Sequence, residues 1–266
     1  MEKNIRFLNR FANHLADEAR KISLFYFKKK IKINNKNKND FDPVTAADIG
    51  VQKKINTLIN KQFPNHSILG EEDSIIQNSK FEWCIDPIDG TKSYIQGVPL
   101  WGTLISLSKN NEIILGLADI PALDERYVGH SKLSYKVVKN KKTLLQVRST
   151  KKLSESILNT TSPYVFANKS DQKSFERLSL KVKSTRLGGD CYSYCLLADG
   201  LIDIVVESGL HPWDIRALVP IIKNAGGVIN TWESEPVING GRIIAATNKK
   251  LFNECQNILK TKKPSR

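Results

Sequence analysis

A mixed α/β (α+β) fold is predicted by three observations. The first 27 residues carry apolar side chains at helical spacing, and the period shortens to that of strands from Phe81. Helical and strand periods then alternate through the second half of the chain. The 266 residues suffice for one large domain or two modest ones, and 40% hydrophobic with 26% charged residues is a globular balance.

In order, Leu8, Phe11, Leu15, Ala19 and Ile22 recur every three or four residues, so 4–27 is read as a long amphipathic helix. The Lys/Asn-rich stretch 28–39 is read as a loop or hairpin tip. Thr45 stands three residues before Asp48, and Val51, Ile55, Leu58 and Ile59 follow at helical spacing, so a capped helix is expected from about 46. FEWCID, WGTLISLS, EIILGLADI and RYVGH are short apolar strands, with KNNE (109–112) as the hairpin turn between the second and third. After a basic stretch near 136–152, strands are expected around 157–161 and 182–187, with helices over 172–180 and 190–200. LIDIVVES is a strand, PWDIRALVPIIKNAGG one helix with a glycine stop, and RIIAATN a last strand before a closing helix. A seam near residue 140 is expected to divide an N-terminal half, 1–140, from a C-terminal half, 141–266.

Several classes are disfavoured. No apolar run reaches the roughly 18 residues of a membrane span, and the first 20 residues lack the apolar stretch of a signal peptide. Four cysteines, none in a C-x2-C pair, argue against a disulfide scaffold or a structural zinc, and a cytoplasmic setting is expected. The net charge of +14 is the footprint of a nucleic-acid binder. Much of the excess, however, lies in KKKIKINNKNKN (28–39) and KVVKNKKTLL (136–145), which lack arginines and stacking aromatics. These are read as solvated loops whose field attracts small anionic substrates, without a nucleic-acid partner.

The chemistry lies in carboxylates at element ends: Gly70-Glu71-Glu72-Asp73, Asp86-Pro87-Ile88-Asp89-Gly90-Thr91, and Asp214 after Trp213. Taken singly, these are a solvated turn, a Pro-Gly turn and a helix-dipole partner, with Asp48 a cap. Together they repel unless a cation compensates. Oxygen donors without His or Cys select a hard ion, Mg²⁺ or Mn²⁺, which leaves room for a phosphate and a water.

Four motifs arrive in a recognisable order: D-P-V-T-A-A-D (42–48), G-E-E-D (70–73), D-P-I-D-G-T (86–91), and W-D (213–214) followed by Gly226-Gly227. With them the whole chain resembles the inositol monophosphatase family of lithium-sensitive, Mg²⁺-dependent phosphatases. G-V-P-L-W-G-T-L-I (97–105), G-G-D-C-Y-S-Y (188–194) and V-E-S-G-L-H-P-W-D (206–214) are most similar to its bacterial histidinol-phosphatase branch, as is G-G-V-I-N-T-W-E (226–233). The resemblance implies a layered αβαβα sandwich, two or three Mg²⁺ ions, inhibition by Li⁺ and a homodimer. Glu71, Asp86 and the Ile88 carbonyl would hold one ion, and Asp86, Asp89 and Asp214 a second. A third would rest on Glu71 and waters. Thr91 and Asp48 would orient and deprotonate the attacking water, with Glu72 as a supporting partner. The backbone N–H groups of Gly90 and Thr91 would receive the phosphate.

By family position Asp190 and Glu207 would face the organic part of the substrate. Two carboxylates suit the ammonium and imidazole of histidinol phosphate, whose hydrolysis yields histidinol in histidine biosynthesis. A neutral polyol would leave Asp190 poorly paired, at a cost of about 1–3 kcal/mol. The competing assignments are an N-cap for Asp190 and a lysine salt bridge for Glu207. His211 is read as a turn residue, Cys191 and Cys195 as core fillers, and Trp101 and Trp213 as buried beside the site. Alternatives to the histidinol-phosphatase reading are an inositol-1-phosphate or broad sugar-phosphate phosphatase and, in another class, a nucleic-acid binder on a phosphatase fold. A 3′-nucleotidase is disfavoured by G-G-D-C-Y-S-Y.

Overall fold

The computed structural model describes residues 2–30, 33–35 and 43–260. Helix α1 (Glu2–Tyr26) is followed by a small antiparallel pair, β1 (Ile33–Asn35) with β2 (Pro43–Thr45), and then α2 (Ala46–Gln62). The basic stretch 28–39 thus contains a strand where it is described; 31–32 and 36–39 lie outside the described residues. Thr45 starts α2 as expected: its hydroxyl accepts from Ala47 N at 3.1 Å, and Asp48 reaches back to accept from Thr45 N at 2.8 Å.

Seven strands form the large sheet in sequence order. They are β3 (Ser67–Gly70), β4 (Phe81–Asp89), β5 (Gly102–Lys109), β6 (Glu112–Ile120), β7 (Glu125–His130), β8 (Leu133–Val138) and β9 (Lys141–Leu144). Only β3 and β4 are parallel. The short helix α3 (Thr91–Ile95) separates β4 from β5. The KNNE turn is the two-residue hairpin predicted, with Asn110 and Asn111 both at positive φ.

KVVKNKKTLL is not a loop, contrary to expectation: it is the β8–β9 hairpin, turning at Lys139-Asn140 with positive φ at both. Its lysine content reflects its place. β9 is an exposed edge strand, where charge discourages pairing with other chains. Residue 140, the expected division, falls in this turn, and the chain leaves the large sheet at Leu144.

The second sheet has the order β11-β10-β12-β14-β13. Its strands are β10 (Ile157–Thr160), β11 (Ser184–Leu187), β12 (Ile204–Leu210), β13 (Val228–Thr231) and β14 (Gly241–Ala246). Helices α4 (Lys169–Ser179), α5 (Asp190–Ala198), α6 (Pro212–Ile215), α7 (Leu218–Asn224) and α8 (Lys249–Lys260) complete the fold. The single helix expected over 212–224 is interrupted at Arg216-Ala217. Pro220 has no N–H to give the Arg216 carbonyl, which is the i−4 bond a helix requires there.

Apolar packing gives five layers. The buried face of α1 and α2 (Leu15, Ala19, Val51, Ile55) covers Trp83, Ile85, Ile105 and Leu117 on one side of the large sheet. Helices α5–α7 fill the space between its other side and the small sheet, where Cys191, Cys195, Leu218 and Ile221 meet Leu104, Ala118, Val205 and Ala245. Phe175, Leu251, Phe252 and Cys255 of α4 and α8 cover the outer side of the small sheet, against Ile204, Val206 and Ile244. The result is the αβαβα sandwich. α7 approaches the large sheet so closely that Gly116 and Gly129 leave no room for a Cβ: one at Gly116 would run into the Ala217 carbonyl, and one at Gly129 into the Pro220–Ile221 backbone. Among the described residues no helix is long and apolar enough to cross a membrane.

Candidate active site

The site begins with an irregularity in β4. A regular strand sends residues i and i+3 to opposite faces, but the pairing of β4 with β5 shifts register between Asp86 and Asp89, and Thr103 Oγ1 holds the displaced Pro87 carbonyl at 2.8 Å. Asp86 and Asp89 therefore converge. Asp214, in the first turn of α6, joins them; one carboxylate oxygen from each of the three lies within 4.8 Å of the others. His211, the N-cap three residues before, donates its backbone N–H to Asp214 Oδ2 at 2.7 Å.

Glu71 follows β3 and is pinned to β4 by its N–H to the Ile85 carbonyl, at 3.1 Å. Glu71 and Glu72 are half-buried, and Asp73 turns away to accept from Asn56 of α2. Asp48 is fully buried; the Thr45 hydroxyl donates to its Oδ2 at 2.5 Å, while its Oδ1 has no partner. Thr91 opens α3 after Gly90, whose φ of 80° makes the left-handed turn from strand to helix. The Thr91 hydroxyl donates to the Ile88 carbonyl at 3.0 Å and not to Asp48.

Burial is the first cause holding Asp86 and Asp89 well above the usual carboxylate range. The neighbouring charges of Glu71, Asp89 and Asp214 add to it at Asp86, and those of Asp190 and Asp214 at Asp89. Asp48 is raised chiefly by burial too. Among the described residues neither Asp86 nor Asp89 forms an ion pair. Asp86 Oδ1, like Asp48 Oδ1, is buried with no hydrogen-bond partner. Converging all-oxygen donors, with one buried Asp86 oxygen lacking a hydrogen-bond partner, fit a hard divalent cation.

Beside the acids a cleft of about 230 Å³ is lined by Gly90, Thr91, Asp190 and Glu207 together with Asp89 and Asp214. Asp190 is not the N-cap of α5; that position is Gly189, and the α5 N-terminus is met by Asp89, whose Oδ2 accepts from Cys191 N at 2.6 Å. Asp190 instead accepts from Ser93 Oγ at 3.0 Å, across to α3. Among the described residues Glu207 makes no lysine salt bridge. It is buried, accepting from Thr161 N at 2.8 Å and from the Tyr194 hydroxyl at 2.9 Å, and burial raises its pKa. Trp101 is fully buried as expected, against Ile88 and Tyr94. Trp213 is only half-buried, stacked on His211 at 4.8 Å. The four cysteines are free and buried.

Sequence reasoning gave no role to Ser93, Thr161 or Tyr194. Tyr194 had a usable signal, since it stands four residues after Asp190 on the same helix face. Thr161 had none, because only the parallel pairing of β10 with β12 brings it to Glu207.

An acid cluster between two sheets, beside a cleft, is an arrangement that could hold a divalent cation next to a small-molecule substrate. The model of the inositol monophosphatase family matches residues 5–261, and the chain belongs to this family of metal-dependent phosphatases. It is 42% identical over 231 residues to the Bifunctional phosphatase IMPL2, chloroplastic, of Arabidopsis thaliana, covering 85% of this chain and 65% of that one; it thus spans just under two thirds of the plant protein. It is 32% identical to the Histidinol-phosphatase of Chlorobaculum parvum, over 89% of this chain and 91% of that one. Among solved structures, an inositol monophosphatase from Zymomonas mobilis superposes with a TM-score of 0.84 at 35% identity, covering 95% and 97% of the two chains.

Proposed function

We propose that this phosphatase is a Mg²⁺-dependent histidinol-phosphatase. The observation that carries the reading is the presence of two further carboxylates, Asp190 and Glu207, in the cleft that adjoins the acid cluster. A cationic leaving group satisfies both, and the pairing is charge-assisted. Named histidinol-phosphatases among the relatives support the same substrate. Four free, buried cysteines support a reducing, cytoplasmic setting.

Glu71, Asp86, the Ile88 carbonyl, Asp89 and Asp214 would hold the metal. When bound, a divalent ion neutralises the phosphate and makes water a better nucleophile. Asp48 keeps one buried oxygen open to take the proton of the attacking water. Thr91, donating to the Ile88 carbonyl, has its lone pairs left to orient that water. Glu72 supports the same water, and the N–H groups of Gly90 and Thr91 receive phosphate oxygens. Hydrolysis is direct, with no phosphorylated residue.

A second reading rests on one observation: both Glu207 oxygens already accept hydrogen bonds within the fold. A neutral polyol phosphate then leaves only Asp190, which accepts from Ser93, without a charged partner. Phosphate release with Mg²⁺ from histidinol phosphate, inositol 1-phosphate, fructose 1,6-bisphosphate and adenosine 3′,5′-bisphosphate separates the two. The expected result is a kcat/KM at least about tenfold higher for histidinol phosphate, from the cost of an unpaired Asp190. A preference for inositol 1-phosphate overturns the reading while leaving the phosphatase chemistry.

A further inference from the structure

We propose that the chain carries a second small-molecule site, for an amphipathic organic anion: a carboxylate, sulfonate or phosphate on an apolar, ring-sized body. The site is a cavity of about 750 Å³ that shares no lining residue with the catalytic cleft. It lies where α1, the β5–β6 turn, the β7–β8 turn and α7 meet, with the segment 236–238 closing one side.

Its floor is apolar: Leu8, Ile114, Val219, Pro220, Val237 and Ile238. Its rim is cationic. Lys109, Lys132 and Lys223 are all exposed, and among the described residues none is in an ion pair and Glu112 is the one acid lining the cavity. His130 also lines it. Burial, helped by the charge of Lys142, lowers its pKa. Its Nδ1 is buried with no partner, a polar atom left unanswered in the wall. The volume lies in the range of sites for drug-sized ligands, where apolar walls bury the body and a few polar groups fix its orientation. Three unpaired cations around an apolar basin complement an anionic head on an apolar body, and they attract it from a distance.

The charge also decides among occupants. A neutral apolar molecule would gain the floor but nothing from the rim. A second protein chain would need an acidic protrusion to enter. An organic anion uses both features at once.

The test is equilibrium binding of 8-anilinonaphthalene-1-sulfonate to the full, folded chain, followed by its fluorescence. The neutral analogue N-phenyl-1-naphthylamine is run in parallel. One saturable site per chain is expected for the sulfonate, with the neutral dye bound about tenfold more weakly or worse. Lys132→Glu with Lys223→Glu should weaken the sulfonate at least about tenfold, whereas Lys151→Glu with Lys181→Glu, an equal charge change outside the cavity, should alter it less than about twofold. Circular dichroism establishes that each variant is folded. Equal losses in both variant pairs would reduce the effect to general surface charge and overturn the site. So would equal affinity for the neutral dye, or the absence of saturable binding.

Discussion

Asp86 illustrates how a residue acquires chemistry from its surroundings. Its sequence context, a strand end before proline, is ordinary; what distinguishes it is burial beside three other acids with one oxygen unanswered. Asp86→Asn should cut phosphate release about 10²- to 10³-fold, the range for losing one preorganised electrostatic group. The same change should raise the melting temperature of the metal-free protein, since it removes a repelled charge, by about 2–4 °C for each kcal/mol relieved. Calorimetry without metal checks this, and a lower melting temperature would contradict the account. The pH dependence follows in sign. Carboxyls whose folded-state pKa lies above the unfolded value contribute full stability at low pH and lose it as pH rises through the folded value. The metal-free protein should therefore weaken over a pH range that begins at the ordinary carboxylate pKa and extends upward from it. The rise in melting temperature on adding Mg²⁺ should be larger at the upper end, because the cation offsets that repulsion. For specificity, Asp190→Ala should reduce histidinol-phosphate turnover more than inositol-phosphate turnover; equal losses would assign Asp190 to holding Ser93 alone. Asp86, Asp89 and Asp214 could be picked from the sequence because acids at element ends are conspicuous, whereas Asp48, Asp190 and Glu207 entered the site only through the family resemblance. That Tyr194 and Thr161 bond to Glu207 could not be read, because hydrogen bonds across 13 and 46 residues leave no local pattern, although the place of Tyr194 one turn after Asp190 could.

At the scale of elements, close approach is the controlling fact. Gly116 and Gly129 admit α7 against the large sheet, and α6, which carries Asp214, leads directly into α7. Gly116→Ala should destabilise by about 1–3 kcal/mol through overpacking. It should also weaken phosphate release by displacing Asp214; chemical denaturation and a rate assay on the same sample check both. Most helices and strands could be read from periodicity, since a buried face imposes a period wherever it occurs. Two elements departed from it for physical reasons. The β8–β9 hairpin is an edge whose solvent-facing lysines imitate a loop, and the helix after His211 divides because Pro220 withholds one hydrogen bond.

At the scale of the whole molecule, the order of the acid motifs revealed the family, and the family implied the layers. Composition and periodicity alone indicated only mixed α and β, because nothing local states which sheet a helix will separate. The layers are fastened at one point of consequence. Arg216, between α6 and α7, pairs with Glu82 of β4 at 2.6 Å and donates to the Ile238 carbonyl at 2.6 Å. Arg216→Met should cost about 1–3 kcal/mol, the loss of charge-assisted bonds at a largely buried guanidinium. It should also raise the Mg²⁺ concentration needed for half-maximal rate, measurable by titration.

The acid cluster is contributed from distant stretches of the chain, with Asp86 and Asp89 on β4 and Asp214 more than 120 residues later. During synthesis the ribosome delivers the first two long before the third. A nascent chain therefore presents only part of the cluster, so hydrolytic power arrives as a late event, after α6 emerges and docks on β4.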